Sequence, residues 1–153
     1  MVGDKPRRTC PSCHYIYFTD PKVGVGILVI SQEKVLLVKR GMHPELGKWS
    51  LPAGFLDYGE DPRKTAVREV FEETNLEVKI TGLLDVYHNP EAQSQGGASI
   101  FILYQAELFR GEIQAGDDAE EAAFFDFSTL PELAFSSTKG AILKWREVVG
   151  EID

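Results

Sequence analysis

The sequence is short of cysteine, of long apolar runs and of basic charge, and each shortage excludes a class of protein. Its only two cysteines, Cys10 and Cys13, are too close together for a disulfide framework, which fits a reducing compartment. The longest apolar run, 23–30, is interrupted by glycine and falls well short of the ~20 residues that a membrane span needs. No apolar segment follows the basic residues near the start, which argues against a secretory signal. We therefore expect a cytoplasmic protein with no membrane partner.

The shortage of basic charge bears on the partners of the protein. Sixteen basic residues against 24 acidic ones give a formal net charge of −8, whereas a general nucleic-acid surface needs a basic footprint. We therefore expect no nucleic-acid partner. A phosphate-bearing small molecule stays open as a ligand, because a bound metal ion can invert the local charge.

The chain of 153 residues suffices for one ordinary domain with a real core, and no repeat or linker divides it. Residues 1–21 differ in character, being polar, aromatic and punctuated by proline, so we separate them from a main domain at 22–153. The residue patterns predict strands over 23–30, 34–40, 49–55, 77–88, 98–108 and 122–127, and helices over 62–74 and 139–149. This order favours a mixed β-sheet flanked by helices.

The segment 62–74 carries the clearest helix signals. Asp61 is a good N-cap, Pro62 suits the first helical position, and Asn75 can adopt the left-handed conformation that ends a helix. Its apolar residues fall in one arc at helical spacing, which predicts that this arc packs on the sheet.

Three glutamates share another face of this helix. Glu69, Glu72 and Glu73 are related as i, i+3 and i+4, a spacing at which like charges destabilise a helix by a few tenths of a kcal/mol per pair. We expect them to project outward, away from the apolar arc. Arg68 precedes Glu72 by four residues, so an ion pair is available. The face is either a solvated acidic surface or a metal site.

Further carboxylates favour the metal site. Glu60 precedes the helix, and a later loop carries two aspartates and two glutamates within 117–121. Gly54, before the helix, allows close approach of the backbone. Clustered oxygen ligands with few neutralising lysines select a hard cation such as Mg²⁺, which substrate phosphates often complete. The sequence therefore predicts a metal–pyrophosphate site.

These residues carry a resemblance to a known family. Gly54, five residues, Glu60, seven residues and the run 68–76 resemble the Nudix box, GX5EX7REUXEEXGU, where U is an apolar residue. Every defined position matches except Asn75, where the family has glycine, and asparagine is the residue that best tolerates a left-handed backbone after glycine. The resemblance covers the chain from about Val23 onward and implies an α/β/α sandwich. The box positions are Gly54, Glu60, Arg68, Glu69, Glu72, Glu73 and Asn75.

The resemblance implies a Nudix hydrolase that uses Mg²⁺, with Mn²⁺ as a substitute, to cleave a nucleoside diphosphate linked to another moiety. By position, Glu69 and Glu73 are the implied principal metal ligands, and Glu72 is available to a second ion. The carbonyl of Ala53 is the implied backbone ligand. Metal-assisted attack of water on phosphorus is the implied chemistry.

The remaining implied roles belong to residues on both sides of the metal ligands. Arg68 resembles the family arginine that orients the glutamates, and Glu60 the glutamate that supports the loop. The family also uses an acidic residue from a later loop to bind metal or activate water. For that role Glu121 is the first choice, and Glu120 or Asp118 the second.

The segment Cys10-Pro-Ser-Cys13-His14 has half of the spacing of a zinc knuckle. A structural zinc ion needs four ligands, and beyond this segment the only other histidines are His43 and His88. The segment resembles the second half of the zinc ribbon that precedes some Nudix domains, without the first cysteine pair. Residues 1–21 are thus a zinc-ribbon-like remnant. Cys10 and Cys13 belong either to a residual β-turn or to a zinc ion that two chains share.

The N-terminal arrangement, with 49–60 and 130–137, is similar to Nudix proteins that act on ADP-ribose or FAD, and the ADP-ribose branch commonly forms homodimers. The alternatives are an NADH pyrophosphatase, a hydrolase that sanitises nucleoside triphosphates, and a non-enzymatic nucleotide-sensing domain. An isopentenyl-diphosphate isomerase is disfavoured because it needs a cysteine in the catalytic region. Arg40, Trp49 and Tyr58 are candidates for substrate binding, although such aromatics also serve in cores and such arginines in solvent.

Overall fold

A computed structural model describes residues 3–90 and 96–150 of the chain. The strands are β1 (Arg8–Thr9), β2 (Ile16–Tyr17), β3 (Val23–Ser31), β4 (Lys34–Arg40), β5 (Trp49–Ser50), β6 (Ala53–Phe55), β7 (Glu77–His88), β8 (Ile100–Arg110) and β9 (Ala119–Asp126). The helices are α1 (Pro62–Thr74) and α2 (Ser136–Gly150). No helix in these described ranges is both long and apolar enough to cross a membrane.

The main sheet is mixed, as the sequence predicts. Its strands follow the order β5-β4-β3-β8-β7, with β6 paired to β3 and β9 paired to β4. Strands β3 and β8 are parallel over Val23↔Ile100 to Ile30↔Glu107, and the other pairs are antiparallel. Strand β4 pairs with only the end of β3, which leaves the first half of β3 to β6. Strand β6 therefore lies beside the first half of β3, and the chain runs from the end of β6 through a loop into α1.

The side chains of β3 alternate between two cores. Val25, Ile27 and Val29 pack in one buried cluster with Ala66 and Val70 of α1. On the opposite face, Leu28 packs in a second cluster with Ala141 and Ile142 of α2. A strand of period two that is buried on both faces reads as a continuous apolar run, as 23–30 does. The two helices therefore flank the sheet, and the predicted fold class is confirmed.

Both ends of α1 form as their residues predict. The Asp61 carboxylate accepts a hydrogen bond from the Arg63 N–H at 2.8 Å, and Pro62 occupies the first turn. Asn75 adopts φ 62° and ψ 13°, and its N–H donates to the Phe71 carbonyl. The left-handed turn is therefore made by asparagine, at the position where the box pattern has glycine.

The faces of α1 differ from the sequence prediction. Glu69 and Glu73 are buried, each only 7% exposed, whereas Phe71 from the predicted apolar arc is 49% exposed. The reason is tertiary, because β6 covers the flank that carries Glu69 and Glu73. The expectation that all three glutamates project outward was wrong for these two.

Other differences concern element ends and the N-terminus. Strand β8 begins at Ile100 rather than 98, and β9 and α2 each begin three residues before their predicted starts. Part of the predicted loop 89–97 lies outside the described residues. The short β1–β2 sheet was not predicted as a pair of strands, and it is separate from the main sheet.

Candidate active site

The backbone at Gly54 touches the carboxylate of Glu69. A Cβ added at Gly54 would lie 2.1 Å from Cδ and from Oε1 of Glu69, so this position excludes any side chain while Glu69 stays in place. The neighbouring Ala53 N–H donates to Oε2 of Glu73 at 3.2 Å. Strand β6 therefore covers the two buried glutamates and orients one of them with a backbone hydrogen bond.

The Arg68 guanidinium connects the glutamates of the site. Its Nη1 lies 2.9 Å from Oε1 of Glu69 and 3.1 Å from Oε2 of Glu72. On its other side, Nε and Nη2 contact the two carboxylate oxygens of Glu60 at 2.9 and 3.2 Å. Glu60 also accepts from the Asp57 N–H at 3.1 Å, which ties the loop to Arg68. The predicted pair of Arg68 with Glu72 is present, and the bidentate pair with Glu60 fixes the arginine plane.

The two buried glutamates hold protons more tightly than ordinary carboxyls do. Burial raises the pKa of Glu69 to about 7, although the Arg68 charge opposes this. Burial, followed by the nearby Glu69 charge, raises the pKa of Glu73 to about 8. By contrast, hydrogen bonds from Arg68 lower the pKa of Glu60 to about 2. A bound cation would stabilise ionised Glu73 and would add to the positive charge that Arg68 already places beside Glu69.

The loop between β8 and β9 contributes a carboxylate through its packing on the end of α1. Its Gln114 N–H donates to the Thr74 carbonyl at 2.9 Å, and its Gly116 N–H donates to the Glu73 carbonyl at 3.1 Å. The last carbonyls of a helix have no partner within the helix, so this loop satisfies them. The next residue, Asp117, is thereby positioned beside the glutamates.

Glu69, Glu72 and Asp117 form a group that could hold a metal ion. Each offers a carboxylate oxygen, and the three oxygens lie within 4.8 Å of one another. Within residues 3–90 and 96–150 no other trio of histidine, cysteine and acidic residues comes this close. An all-oxygen donor set suits Mg²⁺ or Mn²⁺ rather than a thiophilic metal, so the residues fit the cation that the sequence predicts.

Asp117 was missed as a site residue by the sequence reasoning, which preferred Glu121 and then Glu120 or Asp118. The carboxylate of Glu121 lies 3.0 Å from Nζ of Lys39, and that of Glu120 lies 4.0 Å from the same atom. Glu121 faces Lys39 across the β4–β9 pair. Its role in metal binding or water activation stays a prediction. No spacing signal in the sequence identifies Asp117, because its position depends on the docking of the loop on α1.

The three predicted substrate residues have different environments. Arg40 donates through Nε to the Pro44 carbonyl at 2.8 Å, and its guanidinium lies over the Phe135 ring. Trp49 packs edge-on against Phe125 with ring centroids 4.8 Å apart, beside the core under α2. Tyr58 is fully exposed in the loop after β6. These contacts give Trp49 a packing role and leave Tyr58 free for a ligand.

The two cysteines lie in the turn that joins β1 to β2. The Cys10 N–H donates to the Tyr15 carbonyl at 2.9 Å, and the His14 N–H donates to the Cys10 carbonyl at 3.0 Å. His14 has a left-handed backbone with φ 61°. Neither cysteine forms a disulfide, and backbone N–H groups of Cys13 and then Ser12 lower the pKa of the Cys10 thiol. The chain thus contains a formed two-cysteine turn.

Comparisons with known proteins agree with this geometry. Residues 20–146 match the NUDIX domain. The chain is 41% identical over 125 residues to the ADP-ribose pyrophosphatase of Methanocaldococcus jannaschii, an alignment covering 82% of this chain and 73% of that protein. It is 30% identical over 135 residues to the NAD-capped RNA hydrolase NudC of Chromobacterium violaceum, covering 87% of this chain but only 48% of that protein.

A solved structure with the same fold is also similar in sequence. The crystal structure of a NUDIX hydrolase from Nitrosomonas europaea superposes with a TM-score of 0.84 at 34% identity. The match covers 97% of this chain and 84% of that one. The similarity therefore includes the N-terminal region as well as the main sheet.

Proposed function

The chain belongs to the NUDIX family of pyrophosphohydrolases, and from this premise we propose that it hydrolyses ADP-ribose to AMP and ribose 5-phosphate in the presence of Mg²⁺. The observation that carries the proposal is the cluster of carboxylate oxygens from Glu69, Glu72 and Asp117. The backbone at Gly54 lies so close to the Glu69 carboxylate that no side chain fits at position 54 while Glu69 stays in place. FAD is the second substrate in order of preference.

The metal requirement follows from the donor set of the site. Glu69, Glu72 and Asp117 would hold the cation, with Glu73 and the Ala53 carbonyl as the further ligands that the box pattern implies. When bound, such a cation polarises the phosphoryl oxygens and lowers the pKa of its water. Mn²⁺ can take the place of Mg²⁺, because both are hard cations served by oxygen ligands.

The protein residues prepare this site before substrate arrives. Arg68 holds the carboxylates of Glu69 and Glu72 at a common side, and Glu60 holds Arg68 in turn. The Ala53 N–H orients Glu73. Such pre-arranged charge contributes to catalysis because it needs no reorganisation during the reaction.

We assign different roles to the two carboxylates of the later loop and strand. Asp117 completes the metal group, since its oxygen lies with those of Glu69 and Glu72. Glu121 accepts the proton of the attacking water, and Lys39, 3.0 Å away, positions its carboxylate. This division predicts that loss of Asp117 weakens metal binding, while loss of Glu121 lowers the maximal rate.

The substrate preference rests on the resemblance to an ADP-ribose pyrophosphatase and on the flanking sequence around the box. The similarity to an NAD-capped RNA hydrolase favours an NAD-containing substrate such as NADH as an alternative, although the chain spans about half of that protein. A nucleoside triphosphate is a further alternative, because the residues of the box do not specify which base a substrate carries. A non-enzymatic sensor is the alternative of a different class, and the intact glutamate set of the box argues against it.

The direct test is a substrate panel. Purified protein with Mg²⁺ is incubated with ADP-ribose, FAD, NADH and a set of nucleoside triphosphates, and AMP and phosphate products are followed by chromatography. We expect AMP and ribose 5-phosphate from ADP-ribose at the highest kcat/KM. Preferred turnover of NADH or a triphosphate would overturn the substrate assignment, and turnover of none of them would overturn the enzymatic one.

Two further assignments belong with this proposal. We treat residues 1–21 as a unit apart from the hydrolase domain at 22–153, which the separate β1–β2 sheet and the family match over 20–146 support. We also place the protein in the cytoplasm, a reducing compartment that suits its free thiols.

A further inference from the structure

The turn between β1 and β2 carries two cysteines separated by two residues, the spacing of half a zinc knuckle. Two antiparallel pairs, Arg8↔Tyr17 and Thr9↔Ile16, hold the hairpin together below the turn. The Cys10 N–H donates to the Tyr15 carbonyl at 2.9 Å and the His14 N–H donates to the Cys10 carbonyl at 3.0 Å, so two backbone hydrogen bonds close the loop around the cysteines. The left-handed His14 closes the turn. The hairpin thus presents two thiols in a prepared loop.

This thiol pair is half of a zinc site. Structural zinc takes four ligands in a tetrahedron, and two thiols from one turn leave two positions to fill. No third histidine, cysteine or acidic ligand comes within reach of Cys10 and Cys13 among the residues that the structure describes. Cys13 is exposed, so the open side of the pair faces solvent. A second molecule can therefore reach it.

The hairpin and the residue that follows it also carry aromatic surface without a cover. Tyr15 is 66% exposed, Tyr17 54% and Phe18 51%, all within a few residues of the cysteines. Within the chain, Phe18 is contacted by the Arg7 guanidinium, 4.6 Å from its centroid. Exposed apolar surface of this kind marks interaction sites, in which aromatic residues are enriched.

We propose that the cysteine turns of two chains meet and bind one Zn²⁺ through Cys10 and Cys13 of each, with the hairpin aromatics packed around the ion. A second copy of the chain is the partner because its turn supplies the same two thiolates, and a two-fold axis through the metal gives each chain the same surroundings. Four thiol protons are released when the ion binds. The site is independent of the hydrolytic centre, which uses oxygen ligands.

The test combines metal content with molecular mass. The protein is purified with Zn²⁺, freed of excess metal, and studied by elemental analysis and by light scattering after gel filtration. We expect a dimer with one zinc ion per two chains. Removal of zinc with a chelator should give monomers, and Cys13→Ser should give monomers without zinc.

Two variants serve as controls. His14→Gly suits the left-handed backbone and removes the nearest imidazole, so dimer and zinc content should remain as in the wild type. The Cys13→Ser protein should keep its thermal transition and AMP release from ADP-ribose, which shows that the main domain is folded. If AMP release is absent in the wild type as well, zinc content and mass still decide this proposal alone.

Several results would overturn the shared site. One zinc ion per monomer would place all ligands in one chain, and zinc loss in His14→Gly would make the imidazole a ligand. A dimer that persists in Cys13→Ser, or a wild-type protein that retains no zinc, would separate the cysteines from any metal-bridged interface.

Discussion

At the scale of single residues, the site depends on a few close contacts around the carboxylates. Gly54 abuts the Glu69 carboxylate, Arg68 contacts three carboxylates, and Asp117 reaches the glutamates from a loop far along the chain. The contacts of Gly54 and Arg68 restrain Glu69, which is buried, so the site is sensitive to small changes there.

Substitution of Gly54 tests the contact between β6 and Glu69. In Gly54→Ala, the added Cβ would overlap the Glu69 carboxylate, so either the strand or the glutamate must move. We expect a destabilisation of roughly 1–3 kcal/mol, typical of overpacking, and a large loss of hydrolysis. The matched control is Gly82→Ala in β7, where a Cβ meets nothing within 4 Å. Urea unfolding and AMP release measure both effects, and a Gly54→Ala protein as active and stable as Gly82→Ala would refute the contact.

Asp117 and Asp118 can be told apart by metal affinity. Asp117→Asn removes an oxygen charge from the group of three, so Mn²⁺ binding should weaken by about 10-fold or more, in line with losses on altering metal sites. Asp118→Asn, which keeps the loop and the net charge of the first variant, should change it much less. Mn²⁺ titration followed by electron paramagnetic resonance provides the measurement. The opposite ranking would move the metal ligand to Asp118.

At the scale of elements, α1 serves as the support of the site. Its N-terminus is fixed by Asp61 and its C-terminus by Asn75, and the loop that carries Asp117 completes its last carbonyls. The loop therefore packs on the last turn of α1, just before the position of Asp117. Stability of this terminus and the position of Asp117 are linked.

The left-handed cap at Asn75 can be tested by substitution. Asn75→Ala places an ordinary side chain at φ 62° and removes the hydrogen bond from Asn75 Nδ2 to the Glu112 carbonyl. It should destabilise the protein by about 1–2 kcal/mol, the usual cost of a left-handed residue. Asn75→Gly also loses the side-chain bond but relaxes the backbone, so it should be clearly more stable than the alanine variant. Equal urea midpoints for the two variants would argue against a cap that depends on its φ angle.

At the scale of the whole molecule, the sequence predicts what depends on neighbours along the chain. The capping of α1, the Arg68–Glu72 pair and the β3–β4 hairpin are local, and all three are present. The placement of Asp117 and the burial of Glu73 depend on packing between distant segments, so periodicity could not give them. The sequence could not decide between core packing and ligand binding for the aromatic residues for the same reason. The packing of Trp49 and the exposure of Tyr58 are both set by tertiary structure.

The charge of the whole site predicts an unusual pH dependence of stability in chelator. The folded-state pKa values of Glu69 and Glu73, about 7 and about 8, exceed the ordinary 4.5, so folding favours their protonated forms. Their contribution is full below pH 4.5 and is lost as the pH rises through 7 and 8. We expect the free energy of unfolding in EDTA to fall between these limits, with a slope of up to about 1.4 kcal/mol per pH unit from each group.

A neutral isostere supplies the control for that pH dependence. Glu73→Gln cannot ionise, so its free energy of unfolding should fall less with pH, and above pH 8 it should exceed that of the metal-free wild type. Urea unfolding in EDTA at several pH values gives the comparison. Parallel curves for the two proteins would contradict the assignment of a raised pKa to Glu73.

We propose that Glu69, together with Glu72 and Asp117, forms the metal site of a pyrophosphate hydrolase. The most direct measurement is the kcat of AMP release from ADP-ribose at saturating Mg²⁺ by Glu69→Gln, with the exposed turn variant Glu33→Gln as control. The glutamine keeps the size of the side chain and removes its charge, so we predict a loss of about 100-fold or more, comparable to removal of other electrostatic catalytic groups. A Glu69→Gln protein that releases AMP at the rate of Glu33→Gln would contradict the account.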